Sequence, residues 1–219
     1  MIFKTISSSS KGNCFLIDEL IIDIGLSYKQ TKPHLNGVKY ILLTHIHGDH
    51  FNPSTVRKIV ANHEDINFIC CDYMERELLK IGVTEDRIKT VVIGSYIRID
   101  DYIIAPIRAY HDVDNCGYRI ARNGLKHLHI TDTVTLEGIE AINYDSASIE
   151  CNHDESKALE LIQEAKENGE FSHLTGAMNS HLSVQQTIEF CKENNIKHLI
   201  PVHVGASTKD EVIQSLRDM

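Results

Sequence analysis

The chain has 219 residues, of which 42% are hydrophobic, enough to bury a core within one domain. Its net charge of −9, with Lys and Arg scattered singly, argues against a long nucleic-acid footprint. No apolar run approaches the roughly 18 residues of a membrane helix, so no membrane partner is expected. The start of the chain lacks the pattern of a secretory leader, which makes a cytoplasmic location the expectation.

In chain order, Phe3–Ile6 is predicted as a strand and Ser7–Asn13 as a turn. Strands follow at Cys14–Ile17 and Leu20–Ile24, joined at Asp18-Glu19. Tyr40–Leu43 is an apolar run suited to a buried strand. After it, Asn52-Pro53 opens a helix with Val56, Ile59 and Val60 on one face. Ile66–Cys71 reads as a strand and Met74–Ile81 as a helix stopped at Gly82. Further strands are predicted at Thr90–Ile93, Tyr96–Ile99, Tyr102–Ala109, Gly117–Ala121, His127–Thr131, Ala147–Glu150 and Lys197–Val202. The remaining helices are predicted at Glu155–Asn168, Ser183–Asn194 and Lys209–Leu216. Periodicity alone gives an α/β or α+β chain with two sheets. The six cysteines include no C-x-x-C pair and are expected to be reduced thiols.

Thirteen histidines are many for this length, and their positions matter. His45, His47, Asp49 and His50 lie in one short segment after the Tyr40–Leu43 strand. Alternate side chains of an extended segment share a face, so His45 and His47 can grip one ion. Asp49 and His50, past the permissive Gly48, can turn toward a second. Imidazole and carboxylate donors suit zinc, iron or manganese.

This segment resembles the signature of the metallo-β-lactamase superfamily. Asp23-Ile-Gly25, Tyr110-His-Asp112, Ile130-Thr-Asp-Thr133 and Pro201-Val-His-Val204 extend the resemblance along the chain. It implies an αββα sandwich of two mixed sheets flanked by helices, in one domain over residues 1–219. It also implies two divalent ions, zinc first and manganese second. His45, His47 and His111 would hold one ion and Asp49, His50 and His203 the other, with Asp132 between them. The Ser7–Cys14 loop, Glu150-Cys-Asn-His-Asp154 and Ser180-His-Leu-Ser183 resemble the YycJ/WalJ-like branch, related to the tRNase Z and RNase J phosphodiesterases. His181 resembles the histidine those branches place beside the scissile phosphate, and Asp49 would orient the attacking water. Against RNase J itself, the stretch from His153 to His181 is too short for that enzyme's large insert.

The expected substrate is therefore a phosphodiester, on a nucleic-acid end or short single strand, or alternatively in a small cyclic nucleotide. Thioester or lactone hydrolysis on the same donors is the competitor from another class, and a non-catalytic metal-binding module is a third. A homodimer is compatible with the sequence. Glu150 and His153 are candidates for orienting a site histidine, with a purely structural role as the alternative. His34, His63, His127, His129, His173 and His198 read as surface or strand residues.

Overall fold

The computed structural model describes residues 1–219, which divide into two compact units. The first comprises Met1–Arg108 and Val113–Cys116, the second Ala109–Asp112 and Gly117–Met219.

In the first unit, β1 (Phe3–Ser7), β2 (Cys14–Ile17) and β3 (Leu20–Ile22) form an antiparallel meander. The short helix α1 (Tyr28–Thr31) leads to β4 (Tyr40–Leu43), helix α2 (Pro53–Asn62), β5 (Asn67–Cys70), helix α3 (Asp72–Lys80) and β6 (Ile88–Thr90). Strands β3 to β6 pair in parallel, giving a mixed six-stranded sheet in sequence order. All four residues of β4 are buried, as a central parallel strand with both faces covered requires. Ile41 and Leu43 of β4 share a core with Phe68, Val56, Ile59, Met74 and Leu78. The α2 start is fixed by Asn52, whose side chain accepts from the Thr55 N–H, with Pro53 in the first turn.

Strands β7 (Ile97–Ile99) and β8 (Tyr102–Tyr110) form a hairpin. Next come β9 (Asp114–Arg122), β10 (Leu125–Ile130) and β11 (Ser146–Glu150). In the second unit these continue to helices α4 (Glu155–Glu167), α5 (Leu174–Ser180) and α6 (Val184–Glu193), strand β12 (Leu199–Val202) and helix α7 (Lys209–Arg217). The second sheet runs β12-β11-β10-β9-β8-β7, with β10, β11 and β12 parallel. Cys151, Val184 and Val212, with Ile188 and Leu199 against them, form a core of the second unit. Two mixed sheets flanked by seven helices are the expected fold class.

Two local expectations change. The strand expected at Thr90–Ile93 lies at Ile88–Thr90, because Phe68–Cys70 pairs with those residues and Val92 is exposed. Helices α1 and α5 fall where the sequence predicts none: α1 is a single turn, and Gly176, Asn179 and Ser180 of α5 are weak helix formers. All six cysteines are buried and free of disulfides. No helix is long and apolar enough to cross a membrane.

Candidate metal centre

The first donor set begins where β4 ends. Thr44, His45 and His50 are fully buried, and the His45 ring lies 4.8 Å from that of His47 and 4.2 Å from that of His50. Asp23, just past β3, organises them. Its carboxylate is fully buried and accepts from the Thr44 N–H (2.9 Å), the Thr44 hydroxyl (2.8 Å) and His50 Nδ1 (2.6 Å). These bonds fix both tautomers. His50 carries its proton on Nδ1, so Nε2 is the acceptor facing the Asn13 Nδ2 amide at 2.7 Å. The Thr44 hydroxyl spends its proton on Asp23, so it accepts from His45 Nδ1 at 3.0 Å. Both rings thereby carry their lone pair on Nε2, the form a metal needs, and in His50 that lone pair accepts from Asn13.

Asn13 Nδ2 also donates to Asp49 Oδ2 at 3.1 Å, placing a positive amide edge between Asp49 and His50. The Ser7–Asn13 turn is thus tied to the donor segment, with the Asn13 N–H donating to the Asp49 carbonyl at 2.6 Å. Gly25 is required here: a Cβ on it would lie 1.7 Å from the Asp49 carbonyl oxygen.

The second donor set belongs to the second unit. Asp132, His181 and His203 bring one donor atom each within 4.8 Å of one another. Asp132 follows β10 and His203 follows β12, and both take left-handed backbone conformations (φ 53° and 51°), as Asp23 does in the first unit (φ 62°). Such strain at non-glycine residues costs about 1–3 kcal/mol each and gathers at functional sites. The Thr131 hydroxyl donates to Asp132 Oδ2 at 2.9 Å, and His203 Nδ1 lies 3.4 Å from that same carboxylate oxygen. His111 sits with Nε2 3.2 Å from the exposed Asp112 carboxylate.

His181 is stacked on His203, with ring centroids 5.0 Å apart, and 5.5 Å from His111. Its Nδ1 lies 2.9 Å from Glu150 Oε2 and 3.7 Å from Asp132 Oδ1. Glu150 is fully buried and also accepts from the Thr133 N–H (2.7 Å) and Leu182 N–H (3.3 Å). A carboxylate held in place by these donors accepts from His181 and fixes a proton on its Nδ1. His181 does not cap α6; Ser183 does, in a capping box with Gln186. His153 plays a different part: its carbonyl accepts from the Val184 N–H, while its buried Nδ1 has no hydrogen-bond partner. Burial holds its pKa below the ordinary histidine value. Glu150, rather than His153, orients His181.

The first unit gathers His45, His47 and His50, and the second gathers Asp132 and His203 together with His181, which the sequence reading keeps out of the donor set. Asn13, Asp23, Thr44 and Glu150 each act through a histidine or carboxylate rather than as a metal donor. Asp23 carries a signal in the Asp-x-Gly spacing and Glu150 is among the residues expected to orient a site histidine, whereas the roles of Asn13 and Thr44 are not expected from the sequence. His127 and His129 are buried strand residues hydrogen-bonded to Ser146 and Ser148. The donor chemistry fits divalent ions: imidazole nitrogens and carboxylate oxygens gathered at buried or half-buried positions.

A model of the Beta-lactamase superfamily domain matches residues 20–204. A search of curated protein sequences finds no match. Among solved structures, the chain is similar to the metallo-beta-lactamase fold protein YhfI from Bacillus subtilis, with a TM-score of 0.75 and 13% identity over 99% of this chain and 91% of that one. It is similar to the short form of human tRNase Z, with a TM-score of 0.65 and 16% identity over 93% and 92%. It is also similar to a diphosphatase from the PhnP family, with a TM-score of 0.67 and 13% identity over 99% and 91%. At these identities the likeness is one of fold.

Proposed function

Because the chain belongs to the metallo-β-lactamase superfamily, whose domain model spans residues 20–204, we propose that it is a dinuclear metal-dependent phosphodiesterase, acting on nucleic-acid ends or short single strands. The observation that carries this reading is the Glu150–His181 pair beside Asp132 and His203. In this reading residues 1–219 act as one domain. His45, His47 and His111 would hold one ion and Asp49, His50 and His203 the other, with Asp132 available to both. The metals, zinc before manganese, would lower the pKa of a water and offset charge on the phosphate oxygens.

The chain's own groups do the rest. Asp49 accepts the proton of the attacking water. Asn13, already bonded to Asp49, holds that carboxylate in orientation. His181, with Nδ1 on Glu150, would act as an imidazolium that carries a second proton on Nε2, which it donates to the phosphate in a hydrogen bond or to the leaving oxygen. A thioester, whose thiolate leaves readily, has little use for such an acid, which is why the thioester reading ranks lower. The YycJ/WalJ-like branch is the subgroup this reading favours, and a small cyclic nucleotide is the second substrate class.

The test is a substrate panel on protein with measured metal content. About two ions per chain are expected, since seven donor side chains exceed what one tetrahedral ion takes. Bis-p-nitrophenyl phosphate should be hydrolysed and thioesters should not. Thioester turnover without phosphodiester turnover would overturn the reading.

A further inference from the structure

A cavity of about 540 Å³ opens in the first unit, lined by Cys71, Asp72, Tyr73, Val92, Ile93, Arg108, Asp114 and Asn115. That volume suits a small-molecule moiety. It adjoins the donor segment: the Tyr73 hydroxyl donates to the Thr44 carbonyl at 2.7 Å, and the Cys116 thiol, next to Asn115, lies 3.7 Å from that same oxygen. The Thr44 hydroxyl in turn holds His45. One wall of the cavity is therefore anchored to the residue that precedes the first predicted metal donor.

The lining narrows the ligand. Two carboxylates, Asp72 and Asp114, disfavour a bare anion. Arg108 and the buried Asn115 amide disfavour a purely apolar guest. The Tyr73 ring with Val92 and Ile93 offers apolar surface for a flat face. A ligand with a flat apolar face and an edge carrying both donors and acceptors meets these demands together, and a nucleobase is such a ligand. Guanine matches most fully: its N1–H and N2–H₂ suit a carboxylate, and its O6 and N7 suit a guanidinium.

We propose that this cavity is a base-binding subsite, receiving the nucleobase next to the scissile phosphate and favouring guanine. The inference rests on the phosphodiesterase reading for its place in the reaction, and it specifies the substrate within that reading.

Guanosine and uridine, which carry no phosphate, would be titrated by NMR into the metal-loaded protein and into Arg108→Ala and Asp114→Asn variants. Both variants change exposed side chains, so the fold should hold. Guanosine should bind more tightly than uridine, and each variant should cut that preference about tenfold. Equal binding of the two nucleosides, or an unchanged preference in both variants, overturns the subsite. Bis-p-nitrophenyl phosphate, which has no base, reports separately on the wild-type enzyme. If it is hydrolysed while the nucleosides show no preference, the subsite fails and the phosphodiesterase reading stands. If it is untouched while the guanosine preference responds to the variants, the base site stands and the phosphodiesterase reading fails. Comparing kcat/KM on cyclic GMP with that on a short strand ending in guanine then tells a mononucleotide from a strand end as the source of the base.

Discussion

Three donors converge on the buried carboxylate of Glu150, and one of them is His181. Replacing His181 by Ala should leave the metals in place and lower turnover about 10²–10⁴-fold on esters with poor leaving groups. Glu150→Gln should cost less, about 10–100-fold, because it loosens the imidazole without removing it. Both losses should shrink with p-nitrophenolate, which barely needs a proton. Turnover on good and poor leaving groups, beside metal content, checks this; a lost ion in His181→Ala would make that residue a ligand. Cysteine chemistry gives a second expectation. Burial pushes Cys14, Cys70, Cys151 and Cys191 up to about 12. Cys71 is drawn below the ordinary thiol value, chiefly by its hydrogen bond with Cys116. Iodoacetamide should therefore label Cys71 ahead of those four in the native protein, as peptide mapping would show; equal labelling would rule out a stabilised thiolate.

At the scale of elements, the join between the Ser7–Asn13 turn, the segment after β3 and the donor loop depends on a missing side chain. Gly25→Ala would drive a Cβ against the Asp49 backbone, where neither partner can yield. The variant should lose on the order of 3 kcal/mol or more in urea unfolding, and a change under about 1 kcal/mol would show that the loop gives way cheaply. Much of this region was legible in the sequence. Four apolar residues of β4 followed at once by spaced His and Asp leave few other readings. Asn52-Pro53 and Ser183 marked helix starts through local chemistry, and both cap as expected. What stayed hidden depends on distant pairing. Glu150 and His181 are 31 positions apart, and Asn13 and His50 are 37 apart, so no window along the chain brings them together. The residues after β6 misled for a related reason: Val91-Val92-Ile93 has strand composition, but the partner strand β5 had already ended at Cys70.

For the whole molecule, acid stability follows from histidines buried in the neutral form. His127 on β10 is bonded at both nitrogens, to Ser146 and Ser148 of β11, and burial pushes its pKa from 6.5 to about 3. Below pH 6.5 the unfolded chain takes up a proton there that the folded chain refuses. The stabilisation is complete above 6.5 and is lost progressively as the pH falls toward 3, by up to a few kcal/mol. His153, held low by burial too, acts with the same sign. Urea unfolding between pH 7 and 5, where ordinary carboxylates stay ionised, should show a falling midpoint, and His127→Gln should flatten the slope. A midpoint constant over that range in the wild type would mean that His127 is charged in the fold.

The parallel strands have a last consequence. Asp23, His45, Asp132 and His203 follow directly or within two residues on β3, β4, β10 and β12, and Glu150 is the final residue of β11. Strands that run the same way deliver their ends to one rim of their sheet. The interior of each sheet then answers mainly to packing and the rim mainly to chemistry. Such an arrangement lets a few rim positions change the chemistry while the strands behind them keep the frame.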